Sequence, residues 1–183
     1  MVGLFRRMFH RSPATPRESS PPTPMGTISL LSGPAQELAD FLRARGLAET
    51  AFRGGDAPYL VSDAVYSEHL VQAWCTDDPL LREVQVNGED LKGDRPAWFA
   101  LTTHRLAVGR VSHAWTEQLA VLSLRYRDAP TMLWERRGDD TWRVTFRGPQ
   151  GRIDLVMSSS LPEEALTRIR DFIGAAAQEA KAA

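Results

Sequence analysis

Arginine is the residue type whose placement comes nearest to a chemical site in this chain. Arg125 and Arg127 alternate with Leu122, Leu124 and Tyr126; Arg143 and Arg147 alternate with Trp142, Val144 and Phe146; Arg152 precedes Ile153 and Leu155. Side chains on a β-strand point to alternate faces, so these five guanidinium groups would share the face opposite the core. Arg137, or its neighbour Arg136, joins them on the strand between. Planar guanidinium forks bind phosphate in bidentate fashion and stack on bases, and an outward Trp134 would add a stacking surface. The patch Arg125, Arg127, Arg137, Arg143, Arg147 and Arg152 is therefore the candidate face for an anionic ligand or nucleic acid. Against this stands a solvated face whose arginines pair with Asp128, Glu135 and Asp154 or cover apolar surface with their stems. Arginine outnumbers lysine twenty to two over the whole chain, the bias of a GC-rich bacterial genome, and that bias favours the solvated face.

Catalytic groupings do not assemble. Nucleophilic hydrolysis on a strained elbow needs G-x-S-x-G, which the chain lacks. A zinc hydrolase needs two histidines one helical turn apart, and Glu68-His69 has no second histidine near it. His10, His69, His104 and His113 are scattered, with His104 at the tip of an expected hairpin. Gly54-Gly55 lacks the Lys and Ser/Thr that hold phosphate and Mg²⁺. Asp139-Asp140 follows Gly138, which makes it a hairpin turn before it is a carboxylate pair. Cys75 is the single cysteine, so neither an intrachain disulfide nor a thiolate cluster can form, and it reads as a small buried hydrophobe. The chain reads as a non-enzyme, with no cofactor and no metal site.

At the start, Leu4, Phe5, Met8 and Phe9 fall on one helical face with Arg6 and Arg7 beside them. That is the composition of a short contact with an anionic membrane, although so short a helix is marginal in water. No apolar run approaches the ~18 residues of a span, and no secretory signal is evident, which points to the cytoplasm.

These residues must be positioned by a fold, and the 183 residues have the composition of one: 43% apolar and 25% charged, with a net charge of −1. The charge is uneven. Residues 25–96 carry six basic against twelve acidic side chains, whereas residues 97–158 carry nine arginines against six acids. Residues 12–24 hold five prolines and no large apolar side chain, as a linker does, so 1–24 is expected to be a disordered basic, proline-rich tail.

A helix is expected next, with Pro34 in its first turn, Leu38, Phe41 and Leu42 as its stripe, and Gly46 as its left-handed stop. Ala64, Val65, Leu70, Val71 and Trp74 predict a second helix over 63–74. Residues 25–80 would then be a small helical segment packed on the body. From residue 82 the period changes to two. Strands are expected near 82–86, 97–103, 105–111, 119–127, 131–137, 141–147 and 152–158, with a hairpin around Thr103-His104. The chain closes on a helix bearing Leu166, Ile169, Phe172, Ile173 and Ala176, with Ser160 and Glu163 spaced as a capping box.

About seven short strands followed by one long amphipathic helix is the order of pleckstrin-homology (PH) folds. Ala100-Leu101-Thr102-Thr103-His104-Arg105-Leu106-Ala107-Val108 resembles the hairpin of bacterial PH-like domains. Thr116-Glu117-Gln118-Leu119-Ala120-Val121-Leu122 is similar to the acidic lead-in and strand that follow it there. The resemblance covers about residues 80–176. It implies an α+β fold in which 81–183 form a PH-like seven-stranded antiparallel barrel or sandwich closed by the C-terminal helix. It also implies a binding module. The loop that is basic in phosphoinositide-binding members corresponds to Asn87–Pro96, which is net −1 here, so inositol phosphates are not the expected ligand. The expectation is a non-catalytic adaptor that recognises a protein segment in the groove between a sheet edge and the closing helix. The alternatives are nucleic-acid binding by the arginine face, and peripheral membrane recruitment through residues 4–9.

Overall fold

The first helix shows how local sequence sets the fold. The computed structural model describes residues 31–48, 68–91, 93, 95–110 and 120–182. Helix α1 spans Gly33–Ala44, with Pro34 in its first turn, where a missing N–H costs nothing. It ends at Gly46, whose φ of +66° is open to glycine at little cost. The Leu47 N–H reaches the Leu42 carbonyl at 2.9 Å and the Gly46 N–H reaches the Arg43 carbonyl at 3.1 Å. This pair of bonds is a Schellman stop, which satisfies two carbonyls the helix would otherwise orphan. Ala35, Leu38, Ala39 and Leu42 are buried on its inner face.

Strand β1 follows at Leu70–Cys75, where helical spacing predicts the end of a helix. Here the structure corrects the reading for residues 70–74; residues 63–67 lie outside those described. The physical reason is burial on both faces. Val71 and Trp74 are buried, and so are Gln72, Ala73 and Cys75, which erases the alternation that marks a strand. The β-branched and aromatic side chains decide the matter through pairing with a neighbouring strand. The acidic stretch therefore enters the sheets themselves. An Asp78 turn, with Oδ1 accepting the Leu80 N–H at 2.8 Å, leads into β2 (Leu81–Val86).

The remaining strands are β3 (Glu89–Asp90), β4 (Ala97–Thr102), β5 (Arg105–Arg110), β6 (Ala120–Arg125), β7 (Thr131–Arg137), β8 (Thr141–Gly148) and β9 (Gly151–Ser158). The β4–β5 hairpin turns at Thr103-His104 as expected, drawn tight by the Thr102 hydroxyl, which accepts the Arg105 N–H at 3.0 Å. A 3-10 turn over Tyr126–Asp128 joins β6 to β7. All pairings are antiparallel and fall into two sheets, a four-stranded β1-β4-β5-β6 and a five-stranded β3-β2-β9-β8-β7. The architecture is α+β with two sheets rather than one closed barrel.

Helix α2 (Glu163–Ala182) buries Leu166, Ile169, Phe172, Ile173 and Ala176, the stripe its sequence predicts. Its start differs from the expected capping box. The Ser160 hydroxyl pairs with that of Ser158 at 3.1 Å, and the Glu163 carboxylate receives the Trp134 indole N–H at 3.3 Å. A neighbouring hydroxyl takes the first half of the box, and a side chain on β7 takes the second.

The core joins both sheets and both helices. Trp74 stacks on Phe99 at 6.1 Å, Phe99 stacks on Phe146 at 5.4 Å across the two sheets, and Tyr126 meets Phe172 edge-on at 5.6 Å. The Trp74 indole N–H donates to the Leu47 carbonyl at 3.0 Å, which ties the end of α1 to β1. A smaller buried cluster of Ala73, Cys75, Trp98, Ala100 and Ala107 occupies the other face of the four-stranded sheet.

Candidate binding surface

The outward face of the five-stranded sheet is read directly from its register. Arg147 stands opposite Arg152, Thr145 opposite Asp154 and Arg143 opposite Val156. On the other side of β8, Thr131 faces Arg147, Leu133 faces Thr145, Glu135 faces Arg143 and Arg137 faces Thr141. Four of the six expected arginines, Arg137, Arg143, Arg147 and Arg152, therefore share this face. Arg125 and Arg127 do not. Arg125 lies on β6 of the other sheet, opposite Arg105, and Arg127 lies in the 3-10 turn. Arg136 points to the opposite side of β7, where its guanidinium sits 5.7 Å from the Trp142 ring.

Asp154 organises the centre of the face. It is 3% exposed, and its Oδ1 accepts from Arg152 Nη2 at 2.6 Å and Thr145 Oγ1 at 2.7 Å, with Arg143 Nε at 3.5 Å. Burial works to raise its pKa, but the hydrogen bonds from Arg152 and Thr145 and the charges of Arg152 and Arg143 outweigh it. The carboxyl is held below its ordinary value. Two of the four arginines are thus committed to an internal counter-ion. Arg137 and Arg147 are exposed and, among the described residues, make no ion pair. Sequence alternation placed Asp154 outward correctly but gave no sign that the arginine stems would bury it.

Trp134 is not available for stacking on this face. It stands beside Val144 on the inner side of β7, half-buried, with Arg170 of α2 5.2 Å from its ring. Its neighbour Leu133 is the outward residue instead, 61% exposed. The signal for it is in the sequence: Met132-Leu133-Trp134 is three apolar residues in a row, and a strand must send the middle one to the other face.

β7 is also the last strand of its sheet. Among the described residues no strand pairs with its outer edge, and on its inner side Trp134 contacts Glu163 and Arg170 of α2. A row of backbone N–H and C=O groups on an edge strand is a template for one more strand.

The other groups weighed as chemistry settle into structure. Glu68 takes two bonds from Arg105 at 2.9 Å and one from the Thr102 hydroxyl at 2.6 Å, holding the start of β1 to the β4–β5 hairpin. His104 is exposed at the hairpin tip, its Nδ1 2.9 Å from the Thr103 hydroxyl. Asp140 pairs with Arg82 at 2.8 Å from the β7–β8 turn. Cys75 is buried. A cleft of about 310 Å³ opens between β2, β3 and the start of β4, lined by mixed charges that include Asp77, Arg82, Asp90 and Arg95. Among the described residues no group of three or more His, Cys, Asp or Glu could hold a metal, and no helix is long and apolar enough to cross a membrane. The candidate membrane residues Leu4, Phe5, Arg6, Arg7, Met8 and Phe9 lie outside the described residues, as do the linker, Gly54-Gly55, His10 and His113.

No family model matches this sequence, and no curated protein matches it. A solved structure from work on SsgB mutations and longitudinal cell division during sporulation of Streptomyces coelicolor is similar over 57% of this chain and 87% of its own. That likeness is at 10% identity with a TM-score of 0.25.

Proposed function

We propose that this chain is a non-catalytic adaptor that binds an extended protein segment as an additional strand on the outer edge of β7, beside α2. The observation that carries this reading is an edge strand of seven residues, unpaired on one side among the described residues, whose outward Leu133 is 61% exposed. Main-chain bonds along such an edge supply affinity, and pockets for alternate side chains supply choice. A PH-like arrangement fits the same picture. With β1 and the two-residue β3 set aside, seven strands in two sheets precede a closing helix.

Nucleic-acid binding is the second reading. It draws on the direct opposition of Arg147 and Arg152, and it is weakened by Asp154 and Glu135 on the same face. Membrane recruitment rests on the sequence of residues 4–9 alone.

The test is selection of random peptides on the full chain, followed by hydrogen exchange on the strongest binder. Slowed exchange within 131–137 is expected. Leu133→Asp should weaken the complex about tenfold or more, since burying a leucine contributes roughly 1.5–3 kcal/mol. Failure to recover any binder, or protection confined to other strands, would refute strand addition at β7.

A further inference from the structure

The outward row of β7 carries a pattern that an added strand would have to match. In chain order the row reads Thr131, Leu133, Glu135 and Arg137. Each position would face one residue of the incoming strand, with Cβ atoms about 4.5–5.5 Å apart. Leu133 offers an apolar contact in the middle of this row. At one end Arg137 is exposed and makes no ion pair among the described residues. At the other end Thr131 is small, and the side chain behind it on β8 is Arg147, also exposed and also without an ion pair among the described residues. An arginine stem is long enough to extend past a threonine on the next strand toward the position an added strand would occupy. Between Leu133 and Arg137 stands Glu135, which repels a carboxylate placed opposite it.

Resting on the strand-addition reading, we infer that the segment this edge accepts is acidic at two positions bracketing one apolar residue. One acid lies two residues from the apolar side chain, facing Arg147, and the other lies four residues away on the opposite side, facing Arg137. The position opposite Glu135 is neutral or basic. The spacing is the same for a parallel or an antiparallel addition, read in opposite directions. Charge complementarity selects this occupant over a neutral strand, because Arg137 and Arg147 lack the internal counter-ion that Asp154 gives to Arg143 and Arg152.

The experiment uses the full chain and three synthetic peptides that share one central valine and differ only at the two bracketing positions: glutamate, glutamine or lysine. Each is made in both sequence directions. The glutamate peptide should bind about tenfold tighter than the lysine peptide at low salt, because two exposed charge pairs replace two like-charge contacts and salt screens both. That gap should narrow as salt rises. The double variant Arg137→Glu with Arg147→Glu should reverse the ranking, and its thermal midpoint checks that the fold is kept. Equal binding of all three peptides with exchange protection at 131–137 would overturn the charge pattern while leaving strand addition in place. Binding by none of them would overturn both. Displacement of the glutamate peptide by single-stranded DNA, with protection moving to β8 and β9, would overturn the acidic-segment inference in favour of a nucleic-acid ligand.

Discussion

Asp154 shows how one side chain changes the meaning of its neighbours. From alternation alone, Arg143, Arg147 and Arg152 are equivalent outward charges, and that much is legible because strand period fixes facing. Their inequivalence is not legible, since it depends on which guanidinium closes over Asp154: Arg152 from the same strand and Arg143 from the neighbouring one do, and Arg147 does not. Asp154→Asn keeps the shape, removes the charge and leaves two arginines without their counter-ion. Hydrogen bonds to a charged group are worth ~1.5–3 kcal/mol, so the variant should be less stable by about that amount at neutral pH. The pH dependence has a definite sign. Because the folded carboxyl titrates below its ordinary 3.8, its contribution is present above about pH 4 and is lost as pH falls through the folded value. Urea denaturation should therefore show the wild type and Asp154→Asn converging below about pH 4. A gap that persists unchanged into acid would mean that the ion pairs are not its source.

Among the elements, those with their own punctuation were readable and those defined by a partner were not. Pro34 and Gly46 bracket α1, and the stripe of α2 recurs at helical spacing, so both could be placed from sequence. Strand β1 carries no such mark. Ala73 and Cys75 are as buried as Val71 and Trp74, so its run of small and apolar residues fits either period until β4 is beside it. The α2 stripe also gives a sharp expectation. Phe172 is 5% exposed and meets Tyr126 edge-on. Phe172→Ala should cost ~3–5 kcal/mol, against a total of ~5–15 kcal/mol for a domain of this kind. Chemical denaturation of the variant would show it; a midpoint within error of the wild type would mean that α2 is not held by this contact. The exposed pair Arg45–Glu164 between the two helices, at 3.0 Å, should matter far less.

For the whole molecule, an α+β body closed by a helix was legible from seven of the nine described strands, but β1, β3 and the division into two sheets were not, because which strands pair is decided by contacts distant in sequence. The same long-range pairing gives the single thiol a use as a kinetic reporter. Cys75 ends β1 opposite Trp98, next to Trp74, whose ring stacks on Phe99 and whose N–H is fastened to Leu47. Burial, aided by the charges of Asp77 and Asp78, pushes the thiol pKa up despite backbone hydrogen bonds that lower it, and the buried sulfur is closed to a reagent while the fold holds. Its rate of alkylation then counts how often β1 leaves the sheet. If β1 comes away only when the core opens, that rate should climb with denaturant as steeply as the equilibrium unfolding constant does. A rate indifferent to denaturant would instead reveal an edge that frays by itself, with the rest of the protein still folded.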